Sequence, residues 1–153
     1  MITWFRGLAA LLLLPAAFSI AAAQEAPTGT ARFNGACEPN PMLAGMMRDR
    51  DHAEKVTMAK CSLAVVEWGK SVTFLRGSEP VVTFLGHSGD QTDITMDQVS
   101  VDGAPPAPTT NGRCRFYGNK ETAEMLILCF AAYRDGDKPA GAVATFRVTG
   151  RAS

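Results

Sequence analysis

The residues best equipped for chemistry stand close together: His87, Ser88, Asp90 and Asp93 supply an imidazole, a hydroxyl and two carboxylates within one short stretch. Those are the groups of a hydrolytic triad, where a base takes the nucleophile's proton and a carboxylate orients the base. Neighbours in sequence rarely face one another in such a site, and His, Ser, Gly and Asp are also what a solvated turn is made of. The stretch is therefore read as a contact loop with His87, Ser88, Asp90 and Asp93 as its candidate residues. No catalytic residue is assigned.

A second constellation is softer. Met42, Met46, Met47 and Met58 lie near His52, and thioethers are ligands for copper(I). Methionines along one helical face are also adaptable core fillers, which is the preferred reading. Neither His52 nor His87 sits at a zinc-site spacing, and Asp90, Asp93 and Asp97 lack the D-x-D-x-D-G order of a calcium loop. No metal or other cofactor is expected. Trp68, Phe116, Tyr117 and Tyr133 suit either an aromatic contact surface or ordinary pairing across a sheet, and the second is preferred.

The third set is structural. Cys37, Cys61, Cys114 and Cys129 are an even number of cysteines with no CxxC among them, which favours stapling over thiol exchange. Of the three connectivities open to four cysteines, Cys37–Cys61 with Cys114–Cys129 is predicted, because both pairs are local.

These groups belong to an exported chain. Arg6, the apolar run from Leu8 to Ile20 and Ala21-Ala22-Ala23 reproduce the three-part layout of a signal peptide, so 1–23 is read as a leader cleaved before Gln24. The apolar run is shorter than the roughly 20 residues of a membrane span, and no cysteine stands at the cleavage site to carry a lipid. No membrane span is expected, and the disulfides fit an oxidising periplasmic or secreted location. The absence of an Asn-x-Ser/Thr acceptor leans towards a bacterial source.

The full chain carries 15 basic and 15 acidic residues. Loss of Arg6 leaves 14 against 15, a net charge near minus one, and the charges are interleaved. That balance argues against nucleic acid or an anionic membrane as a partner.

What must position these groups is a single β-rich domain over 36–153, preceded by a flexible tail at 24–35. Asn40-Pro41 starts a helix over 41–54 with Met42, Met46 and Met47 on one face. A hairpin about Gly69-Lys70 pairs Trp68 with Ser71 and Val65 with Phe74. Residues 56–66 also fit a helical stripe. A strand follows Pro80, Gly86 to Asp93 is a loop, and the apolar parity switches between Ile94/Met96 and Val99/Val101, which demands a bulge near Asp97-Gln98. Residues 104–112, with three prolines, read as an exposed loop.

A second hairpin sets Tyr117 opposite Leu126 and hence Cys114 opposite Cys129. The run 125–133 is apolar on both parities, read as a strand covered on both faces over the rival of a buried helix. Residues 142–149 form a last strand with one wet face. The fold class is mainly β: a small antiparallel sandwich or barrel with one short N-terminal helix and two disulfides.

The leading functional expectation is a non-enzymatic binding or interaction module of the cell envelope, with a protein or glycan partner. The alternatives are a secreted inhibitor of a hydrolase, and a copper-binding or hydrolytic protein.

Overall fold

The computed structural model describes residues 27–88, 92–120, 122 and 124–153, and of Ser88 the backbone alone. The predicted leader at 1–23 lies outside the described residues. The elements run β1 (Thr30–Glu38), α1 (Pro41–Arg50), β2 (Lys55–Met58), β3 (Leu63–Glu67), β4 (Ser71–Arg76), β5 (Glu79–Ser88), β6 (Asp93–Val101), β7 (Ala107–Asn119), β8 (Glu124–Asp135) and β9 (Lys138–Arg151).

Eight strands form an antiparallel meander in the order β1-β3-β4-β5-β6-β7-β8-β9, and β1 returns to pair with β9, closing a barrel. Closure removes the open sheet edges that invite association. The extra strand, β2, lies parallel to β9 below the end of β1, from Lys55 opposite Ala140 to Met58 opposite Val143. Of the two architectures expected, the barrel is the one adopted. Its upper end is defined here as the one where β1 begins and β9 finishes.

The interior follows from period-two alternation. Phe33, Val66, Phe74, Phe84, Ile127 and Phe146 point inward and are fully buried. The Phe74 ring meets Phe84 edge-on at 6.0 Å and Phe146 at 5.8 Å. Ala131, Ala142 and Ala144 face the same space, and their small side chains make room for the rings, as large and small residues alternate in a filled barrel.

The parity switch in β6 is where the sequence placed it. Leu85 pairs with Gln98 and Gly86 with Met96, so Asp97 is the extra residue of a bulge. Ile94, Met96 and Val99 all reach the core as a result. Gly86 is required there, because a Cβ would sit 1.8 Å from the Thr95 carbonyl oxygen.

The helix starts as expected, with Asn40 Oδ1 accepting from the Leu43 N–H at 3.0 Å and Pro41 in the first turn. It stops at Arg50, four residues early, because His52 adopts a left-handed φ of 53° and the chain turns into β2. The predicted shared methionine face is split. Met47 is buried on the barrel's outer wall with Ala53, Ala132 and Val143, under a gap left by Gly141, whose Cβ would touch Met47 Cε at 2.8 Å. Met42 and Met46 are exposed.

Four other readings are corrected. Residues 30–35, read as part of the flexible tail, are strand, because alternating Ala31 and Phe33 anchor them to the core. The first hairpin is shifted by one: Glu67 pairs with Ser71 and Ala64 with Phe74, since Gly69 at φ 77° permits a three-residue turn that lets Ala64, Val66, Val72 and Phe74 all face inward. Of the 104–112 loop only 104–106 lies outside the strands, β7 beginning at Ala107. The helical stripe over 56–66 is instead β2 and β3.

Both predicted disulfides are present. Cys37–Cys61 ties the end of β1 to the segment before β3, with Cα atoms 5.0 Å apart. Cys114–Cys129 links β7 to β8 at 4.0 Å, and Tyr117 stands opposite Leu126 as the register required.

Candidate functional site

Four pieces of chain meet at the upper end: the β3–β4 turn, the ends of β5 and β6, the β7–β8 turn and the close of β9. They are held together by the backbone, with Gly86 N–H donating to the Lys70 carbonyl and Phe116 N–H to that of Thr92.

His87 lies on the outer face at the end of β5, opposite Thr95. The bulge projects Asp97 outward, and its Oδ2 lies 2.7 Å from His87 Nδ1. When Nδ1 carries the proton in this pair, Nε2 is left as an acceptor facing water. The two side chains are 66% and 54% exposed, so solvent screens the pair and its energetic weight is small.

Asp93 is held elsewhere. It begins β6 opposite Arg115, which donates from Nε and Nη2 to its two carboxylate oxygens at 2.8 Å each. The Asp93 carboxylate, with a lesser contribution from Tyr117, raises the Arg115 guanidinium further above its already high range. The fork-to-fork geometry fixes the top of β6 against β7.

The residues singled out in sequence therefore divide. His87 and the backbone of Ser88 belong to β5, Asp93 to β6, and the Ser88 side chain and Asp90 lie outside the described residues. The carboxylate brought to the imidazole is Asp97, ten positions away. The signal that would have found it was the predicted bulge itself.

The aromatic residues also divide. Trp68 and Phe116 pack with ring centres 5.1 Å apart, and Lys120 Nζ lies 5.3 Å from the first ring and 5.5 Å from the second. A cation over two ring faces is attracted by their quadrupoles. Arg151 donates to the Lys120 carbonyl at 3.0 Å, tying the end of β9 into the same cluster. Sequence reasoning had no means of adding Lys120 and Arg151. Tyr117 sits on the outer wall, and Tyr133 lies towards the opposite end, where burial, Asp135 and Asp102 push its phenol up.

A polar depression of about 360 Å³ opens beside His87–Asp97, lined by Thr95, Asp97, Thr109, Asn111 and Arg113 among others. It exists because the β6–β7 register breaks after Thr95. Thr109 Oγ1 donates to the Met96 carbonyl within that break at 2.5 Å. The side chains offer hydrogen bonds of both senses and one guanidinium.

For metals, Met47 is turned into the wall while Met42 and Met46 face solvent, so the helix does not present its three methionines together. Among the described residues no group of three His, Cys, Asp or Glu side chains is placed to hold an ion.

Fold and site together define a small closed β-barrel stapled by two disulfides, with the His87–Asp97 pair and the Trp68–Phe116–Lys120 cluster towards one end. Comparison with protein families, curated proteins and solved structures finds no match. No helix among the described residues is long and apolar enough to cross a membrane.

Proposed function

We propose that the protein is an exported, non-enzymatic binding module of the cell envelope, and that its upper end contacts a protein or glycan. The observation that carries this reading is the filled interior. Phe33, Phe74, Phe84 and Phe146 leave no exposed surface inside the barrel, whereas small-molecule barrels keep an open mouth and cavity. Recognition then falls to the rim, where His87 at the end of β5, Asp97 at the β6 bulge, and Lys70, Trp68 and Lys120 on the turns stand on a frame fixed by backbone hydrogen bonds. A rigid display of that kind limits the ordering cost of association. Two disulfides in a small domain support the oxidising location.

The test is site-specific photo-crosslinking in the host's own envelope. A photoreactive side chain at position 87 or 70 is expected to give one common adduct, and the same group at position 136, at the lower end, to give none. Adducts from position 136 alone, or none from the upper end, would overturn the reading.

A further inference from the structure

The outer wall carries an apolar stripe that the filled barrel does not use. On β8 the inward residues are Met125, Ile127, Cys129 and Ala131, while Leu126, Leu128 and Phe130 point outward and remain partly exposed. Register places them in three rows: Tyr117–Leu126–Arg147, Arg115–Leu128–Thr145 and Arg113–Phe130–Val143. Helix α1 covers Val143 and touches Phe130 through its Leu43 and Met47 cluster. It leaves Leu126 and Leu128 in the other two rows partly exposed. Beside them the helix exposes Met42 at 76% and Met46 at 43%, and β7 exposes Tyr117 at 44%. Leucine, methionine, tyrosine and arginine without lysine is the composition of a protein interface.

We propose that this wall is where two copies of the chain meet, the Met42–Met46 face of each α1 covering Leu128 and Phe130 of the other. Levels and charge both select a second copy as the occupant. Asn40 Nδ2 donates to Thr145 Oγ1 at 3.1 Å, which fixes the helix start at the Leu128 row. With a rise of about 1.5 Å per helical residue against about 3.4 Å per strand residue, Met42 lies level with the Leu128-to-Phe130 interval, Met46 just past Phe130, and Asp49 about one row below Phe130. A two-fold axis along β8 therefore brings the thioethers onto Leu128 and Phe130, and Asp49 towards Arg113.

Met42, Met46 and Asp49 share one helical face by their spacing of four and three. Neither Asp49 nor Arg113 has an ion-pair partner among the described residues. Knob, floor and opposite charges are thus all present on one chain, as an isologous contact requires. The contact lies on the side wall and, apart from Arg113 at the edge of the polar depression, leaves the His87 end free.

The experiment is sedimentation equilibrium of the oxidised protein up to about 100 µM, a range that resolves micromolar association, with thermal melts as a folding control. The expected result is a concentration-dependent dimer, monomeric in Leu128→Glu and Met46→Glu. Asp49→Arg should weaken it about tenfold, and adding Arg113→Asp should restore it. A protein monomeric throughout, a dimer that survives Leu128→Glu, or a double charge reversal that restores nothing would overturn the proposal. Crosslinking at position 87 reads the upper end independently, so either idea can fail alone.

Discussion

Gly86 shows how one residue type decides whether a site exists. The bulge that turns Asp97 towards His87 brings the two strands so close that no side chain fits at position 86. Gly86→Ala is expected to cost about 3 kcal/mol through forced backbone shifts, read as a lower urea midpoint. Asn40 is a second such position, capping α1 and reaching Thr145. Asn40→Ala should cost about 1 kcal/mol, checked in the same way.

The Glu38–Arg147 pair has a pH signature. Hydrogen bonds from Arg147 hold the Glu38 carboxyl below its ordinary 4.5. A depressed acid stabilises the fold above its unfolded value and loses that contribution as pH falls through the folded one. The stability gap between the wild type and Arg147→Gln is therefore expected to be largest at neutral pH and to close below the carboxylate range. Urea titrations at the two pH values test the sign, and because both groups are exposed the gap should be small.

At the scale of elements, the two disulfides do different jobs with similar entropic weight. Loops of 24 and 15 residues are each worth about 3 kcal/mol in the chain-entropy model. Cys114–Cys129 joins strands already aligned over ten pairs. Cys37–Cys61 instead spans the helix and β2, whose other ties run mainly to β9, through the Lys55-to-Met58 ladder and the Asn40–Thr145 hydrogen bond. The Cys37→Ala/Cys61→Ala variant should therefore lose about 3 kcal/mol and, in addition, its amide protection over 41–58, a loss that hydrogen exchange would detect.

Sequence reasoning reached the elements whose signals were local. The β7–β8 register, the helix start at Asn40-Pro41 and the bulge near Asp97 follow from parity, capping and turn chemistry. It missed what depends on distant partners. Residues 30–35 look like a tail until Phe33 meets the core, and the first hairpin slipped by one because Gly69 allowed a longer turn. The apolar residues on both parities of β8 predict a strand covered on both faces, whereas on the outer face only the Phe130–Ala132 end meets α1. The His87–Asp97 pair was half legible: the bulge was foreseen, but not the side chain that it would aim.

For the whole molecule, the core is one layer of side chains wrapped by its own wall, so a defect at its centre is shared all round. Phe74 touches both Phe84 and Phe146, and Phe74→Ala should cost about 3–5 kcal/mol. A denaturant titration would show it as a lower midpoint, and coincident fluorescence and circular-dichroism transitions would show that the barrel still unfolds as one unit.

The seam between β1 and β9 sets a schedule as well as a shape. Phe33 pairs with Arg151, so β1, the first of the described strands, finds its second neighbour only when β9, the last of them, has joined. Chains emerge N-terminus first, and contacts between distant residues form slowly. Until β9 arrives, β1 has one neighbour and an open side. The barrel therefore stays unfinished until β9 is in place, and a chain cut at the start of β9 would have no wall with which to close.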